Sequence, residues 1–188
     1  MKELRRYIHE VIKESLSSQD FIDTYNTAQR VHLDYNRRSG EPYFEHPKAV
    51  RNLVTKYYPK DRVAQLAALL HDTLEDYHKG SGYSSRQEVV EAILSSIRSK
   101  SLAQKVLAVV ESLTHETGSY DEYLVSLSGD RTAMRVKLAD MLHNSKSSPS
   151  ERQLEKYSNA FSKLMAHFDG DIPGINPNHV QDLLSYLG

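Results

Sequence analysis

Apolar residues recur along this chain at spacings of three and four, and no segment shows the strict alternation of a half-buried strand. Leu4, Tyr7, Ile8, Val11 and Ile12 predict an opening amphipathic helix, and a second is expected from Asp20, read as its N-cap, towards Tyr35. Gly40, Pro42 and Pro47 then break the periodicity within NRRSGEPYFEHP, which reads as a structured loop. Pro47 suits the first turn of a helix whose apolar face carries Val50, Leu53, Val54 and Tyr57. Residues 63–74, VAQLAALLHDTL, are apolar nearly all round, the pattern of a central buried helix. After the polar loop HKGSGYSS, helices are expected over 87–97, 102–113, 120–127, 132–143 and 150–168. DIPGINPN makes a turn, and 180–187 a short closing helix. The expected fold is all-α, a compact helical bundle in one domain over residues 1–188.

Composition narrows the class. The 188 residues suffice for a real core, and 24 Lys plus Arg against 25 Asp plus Glu leave a net charge of -1. Without a global basic field, nucleic acid is not the expected partner, and a polyanionic ligand has to meet a local basic patch. The absence of cysteine excludes disulfides, thiol catalysis and cysteine-bound zinc. MKELRRYIHE lacks the apolar core of a signal peptide, and no apolar run approaches the ~20 residues that span a bilayer. The expectation is a cytoplasmic protein without membrane attachment.

Against this background, His71 and Asp72 stand out at the end of the most apolar segment. A buried, unpaired carboxylate costs several kcal/mol, and a divalent cation compensates it while accepting an imidazole nitrogen as well. Alone, the pair equally fits a core histidine beside a capping or salt-bridged aspartate. Asp140 lies in a second apolar stretch, KLADMLHN, where Lys137, Asp140 and Asn144 share one helix face; there a Lys137–Asp140 ion pair is the simpler alternative. His46 precedes Pro47 at a helix entrance and also fits a capping role. Together, His46, His71, Asp72 and Asp140 make a mixed nitrogen and oxygen set suited to manganese, iron, zinc or nickel. Glu75 and Asp76 follow Asp72 at offsets of three and four, a crowding expected to raise one carboxyl pKa; a solvated acidic helix end is the alternative. Of the other histidines, His9, His78, His115, His167 and His179 are expected at the surface. His32 and His143 are expected in structural or hydrogen-bonding roles.

YNRRSGEPYFEHPKAV, AALLHDTLED and VKLADMLHN, in this order, resemble the HD-type hydrolase domain of the RelA/SpoT homologue family over roughly residues 25–147. The similarity is strongest to single-domain small alarmone hydrolases. It implies an HD-domain bundle in which His46, His71, Asp72 and Asp140 hold one divalent cation, usually manganese, with Glu75 and Asp76 positioning or activating the attacking water. It further implies that Arg37, Arg38, Ser39 and Tyr43 line the nucleotide pocket and that Asn144 lies near the ribose; on charge grounds Lys137 or Lys146 is expected to counter the remaining phosphate charge. The implied reaction removes the 3′-pyrophosphate of guanosine tetra- or pentaphosphate. The chain departs from the family at Leu33–Tyr35, at Arg38 where the family has Lys, and at Ser145, Lys146 and Ser147 after the LHN motif. Those positions surround the substrate, so an NADPH 2′-phosphatase or nucleotidase acting through the same metal site stays open. So does an alarmone-binding regulator or antitoxin paired with an alarmone synthetase.

Overall fold

The computed structural model describes residues 2–115 and 118–188, with the side chains of residue 5 and of residue 18 onward. The apolar face expected of Leu4, Tyr7, Ile8, Val11 and Ile12 lies outside the described side chains. Among the described residues there is no strand, only an isolated antiparallel bridge between Asn36 and Pro42. The all-α expectation holds.

Helix α1, Lys2–Val31, runs unbroken through Asp20 where two helices are expected. Asp20 is not a cap. Its carboxylate is buried and accepts from the Arg62 guanidinium and, at 3.1 Å, from the Arg98 backbone N–H. A short polar side chain inside a helix thus reflects a tertiary anchor rather than a helix start.

The next elements follow their local signals. Helix α2, Glu45–Tyr57, carries Pro47 in its first turn. Helix α3, Arg62–Leu70, is capped by Asp61, whose side chain accepts from the Ala64 N–H. The apolar run expected as one helix is interrupted at His71 and Asp72, and α4 resumes at Thr73–Asp76. Asp72 sits at φ -96°, ψ -2°, and the Thr73 hydroxyl donates to the Leu70 carbonyl at 2.6 Å, which together close α3. Serine side chains cap α5 (Arg86–Ser95), α6 (Lys100–Leu113) and α9 (Glu151–His167). Between α6 and α9 come α7 (Tyr120–Ser126), a 3-10 turn (Leu127–Gly129) and α8 (Arg131–Lys146), capped by Asp130. Helix α10, Pro177–Leu187, starts from Asn176 with proline in its first turn.

Helices α3 and α8 form the centre. Helices α2, α6 and α8 pack on α3, α10 covers α8, and α9 lies along α7. Leu69, Leu70, Leu138, Met141 and Leu142 are sealed from solvent, each contributing roughly 1.5–3 kcal/mol of burial. The 80–82 loop seats on the carbonyls ending α1: a Cβ on Gly80 would lie 2.0 Å from the Val31 oxygen and one on Gly82 1.8 Å from the Arg30 oxygen, so both positions require glycine. No helix among the described residues is long and apolar enough to cross a membrane.

His179 departs from its expected surface position. It is fully buried on α10, stacked on Tyr57 with ring centroids 4.3 Å apart. The Tyr58 hydroxyl accepts from the Asn176 N–H and lies 3.0 Å from His179 Nδ1, within hydrogen-bond reach. Burial lowers the His179 pKa from 6.5 to about 4. The unfolded chain therefore takes up a proton that the folded chain refuses, and stability falls as pH drops from 6.5 towards 4. Between pH 7 and 4.5 this group costs about 2 kcal/mol. Denaturant unfolding at both pH values should show a smaller acid loss in His179→Gln than in the wild type; equal losses would acquit this histidine.

Candidate active site

Three elements deliver the four side chains to one point. His46 comes from the first turn of α2, His71 and Asp72 from the break between α3 and α4, and Asp140 from the middle of α8. His71 Nε2 lies 3.2 Å from His46 Nε2 and 3.0 Å from Asp72 Oδ2. Asp140 Oδ1 lies 3.2 Å from His46 Nε2 and 3.8 Å from His71 Nε2. One donor atom each from His46, His71 and Asp72 falls within 4.8 Å of the others, and Asp140 lies against the two histidines of that trio.

The donor chemistry fits a divalent cation. His71 Nδ1 is 2.9 Å from the Ala68 carbonyl, which can only accept, so Nδ1 holds a proton and Nε2 is the nitrogen turned into the cluster, free to ligate once a cation replaces any proton there. Burial favours neutral forms for all these groups, yet charge wins. His71 is raised to about 10 because Asp72 and Asp140 outweigh its desolvation. The Asp72 and Asp140 carboxyls sit well below their usual range against the same desolvation, Asp72 through His71 and His46, Asp140 chiefly through Lys137. The cluster demands positive charge at its centre, and a dication satisfies two imidazoles and two carboxylates at once.

Neighbours fix the donors. The Tyr43 hydroxyl donates to Asp72 Oδ2 at 2.7 Å, and burial together with Asp72 keeps that phenol protonated. Lys137 donates to Asp140 Oδ2 at 2.9 Å, so the ion pair posed as an alternative exists, and it leaves Oδ1 turned towards the histidines. Asn144 donates to Asp140 Oδ1 at 2.6 Å and accepts from Arg37 at 3.1 Å. His143 has the hydrogen-bonding role expected of it, its Nδ1 lying 2.8 Å from His46 Nδ1, where it can hold the His46 ring from behind. Its place one turn after Asp140 was the available signal. His32 is buried beside Tyr43, ring centroids 4.8 Å apart.

Two cavities meet at Tyr43, which lines both. One, of about 210 Å³, is lined by His46, Asp72 and Asp140 of the cluster together with Glu75, Lys137, Lys156 and Tyr120. The other, of about 700 Å³, is lined by Arg37, Arg38 and Ser39 and by the segment after α8. The 35–43 loop shapes it: Arg37 N–H bonds to Glu41 O at 2.8 Å, Gly40 turns the chain at φ 89°, and Tyr35 stacks on Tyr43.

The structure parts Glu75 from Asp76. Glu75 faces the smaller cavity, whereas Asp76 is buried and accepts from Lys79 at 2.5 Å. Both carboxyls are raised, by desolvation first and the Asp72 charge second. Lys146 lies outside both cavities, 5.1 Å over the Tyr186 ring. The second lysine near the cluster is Lys156, which no motif marked, and His115, expected at the surface, lies in the cavity wall.

The chain is similar over 70% of its length, at 30% identity, to the bifunctional (p)ppGpp synthase/hydrolase RelA of Mycobacterium tuberculosis. It is 32% identical over 64% of its length to the GTP pyrophosphokinase rsh of Brucella melitensis, and 31% over 64% to a GTP pyrophosphokinase of Streptomyces coelicolor. The matched region amounts to 14–18% of these relatives' own lengths. Residues 24–170 match the family described as HD domain, a span holding the whole histidine–aspartate cluster, and the chain belongs to that family.

Proposed function

We propose that this protein is a manganese-dependent hydrolase of guanosine tetra- or pentaphosphate that releases the 3′-diphosphate as pyrophosphate. The carrying observation is the convergence of His46, His71, Asp72 and Asp140, with His71 Nε2 set 3.2 Å from His46 Nε2, beside a cavity that His46, Asp72 and Asp140 line together with Glu75 and Lys137. The name of the M. tuberculosis relative, a (p)ppGpp synthase/hydrolase, supports the substrate class.

His46, His71, Asp72 and Asp140 would hold the cation, which when bound supplies Lewis acidity and makes water a competent nucleophile near neutral pH. Glu75 orients the attacking water and takes its proton, a task its raised pKa favours. The water oxygen bonds to the phosphorus attached to the ribose 3′-oxygen, the P–O3′ bond breaks, and a proton goes to the departing 3′-oxygen. Lys137 neutralises charge on the phosphoryl group, while Arg37 and Arg38 bind the nucleotide in the larger cavity beside Ser39 and Tyr43. Asn144 lines the smaller cavity and accepts from Arg37 of the larger one, which suits it to contact the sugar.

The test is a panel of guanosine tetraphosphate, guanosine pentaphosphate, an adenosine counterpart, NADPH and simple nucleotides with manganese-loaded protein, following pyrophosphate and phosphate separately. Guanosine substrates should give the highest kcat/KM, with one pyrophosphate per turnover. Equal or faster phosphate release from NADPH would replace this reading with a 2′-phosphatase.

A further inference from the structure

The smaller cavity holds more positive and hydrogen-bonding capacity than the metal cluster uses. Away from the cluster residues its wall includes Lys137, Lys156, Tyr120, Tyr157 and His115. Lys156 projects from α9, its ammonium 4.3 Å over the Tyr120 ring and 5.0 Å over that of Tyr157, and it has no acidic partner among the described residues. Lys137 lies 5.6 Å over the same Tyr120 ring, so two ammonium groups flank one phenol. Lys137 is paired with Asp140, whereas Lys156 is left with a pKa lowered by desolvation first and by Lys137 second, against smaller opposing effects of Asp140 and Glu75. Such an arrangement is relieved by an anion.

A second observation points the same way. The Tyr120 hydroxyl and His115 Nε2 are enclosed yet have no hydrogen-bond partner among the described residues. Buried polar atoms without partners are uncommon, and each costs about 1–3 kcal/mol. Here both belong to residues lining the cavity that Lys156 edges. A tetrahedral anion accepts from an ammonium, a phenol and an imidazole N–H together.

We propose that Lys156, Tyr120 and His115, with Lys137, form a subsite for the outer phosphate of a diphosphate ester, so that this protein selects esters whose diphosphoryl group is transferred to water over the corresponding monophosphate esters. This rests on the hydrolase reading for its catalytic consequence, but the anion site itself does not. Lys137 bridges the two functions, since it touches Asp140 on one side and the subsite on the other. Lys156 is the residue that separates one phosphate from two.

The manganese-loaded full chain is titrated with pyrophosphate and with orthophosphate by calorimetry, for wild type, Lys156→Ala, Lys156→Arg and Tyr120→Phe. Lys156 is exposed at the rim, and Tyr120→Phe keeps the packed ring, so both variants retain the fold. Pyrophosphate affinity should fall about tenfold in Lys156→Ala and less in Tyr120→Phe, return in Lys156→Arg, and fall by more than orthophosphate affinity does. With guanosine tetraphosphate and its 3′-monophosphate analogue as substrates, kcat/KM should fall by about ten times more for the diphosphate. Pyrophosphate binding with this pattern but no turnover of guanosine substrates upholds the subsite and sinks the hydrolase reading. Unchanged pyrophosphate affinity in Lys156→Ala, or equal loss for both anions, overturns the subsite.

Discussion

Replacing Asp72 with asparagine should strip the divalent cation from the protein and abolish hydrolysis while leaving the helical fold in place. Asp72 supplies one carboxylate to a cluster whose other anion, Asp140, is already shared with Lys137 and Asn144. An amide keeps the shape and still accepts from the Tyr43 hydroxyl, but it removes a unit of negative charge beside His46 and His71. Changing a group that merely supports a ligand costs 10–100-fold in metal affinity, so removing a ligand charge should cost at least about 100-fold. Two readouts apart from activity check this: metal content after dialysis, and the thermal shift on adding manganese. A cation at 100 times its dissociation constant stabilises the fold by about 2.7 kcal/mol, which the variant should lose. A variant that keeps a full complement of metal would remove Asp72 from the ligand set.

The second large effect is kinetic and leaves the metal in place. Glu75→Gln should lower kcat by about 10²–10⁴, the range for removing a general base, with metal content near that of the wild type. Asp76→Asn should behave differently. Its carboxylate is turned inward to Lys79, so the substitution leaves a cation poorly paired and shows first as lost stability, with a smaller change in kcat. Parallel kinetics and denaturation of the two variants separate the roles. Equal kcat losses at unchanged stability would restore the acidic pair as a joint base.

Much of this architecture is legible in local pattern. Caps at Asp61, Ser85, Ser99, Asp130, Ser150 and Asn176 are short-range hydrogen bonds between a side chain and the N–H groups two or three residues on, so composition announces them. The helix entered through Pro47 is legible from local signals too, and the apolar run marks a buried centre, although it breaks into two helices at His71 and Asp72. Asp20 misleads because a cap and a buried anchor use the same residue type; only the arrival of Arg62 and Arg98 tells them apart. His179 misleads because its polar neighbours in sequence are not its neighbours in space, which are Tyr57 and Tyr58.

The amino-acid sequence by itself determined the helical class, the position of most helices, and the stock of imidazoles and carboxylates from which a metal cluster can be made. Those follow from interactions reaching no further than one or two helical turns. Tertiary structure alone decided that His46, the His71–Asp72 pair and Asp140 meet, that Glu75 faces the cavity while Asp76 does not, and that Lys156 and Tyr120 share a wall with Lys137. Each depends on how helices far apart in the chain stack around α3 and α8. Periodicity specifies which face of a helix is buried, but not which partner it is buried against.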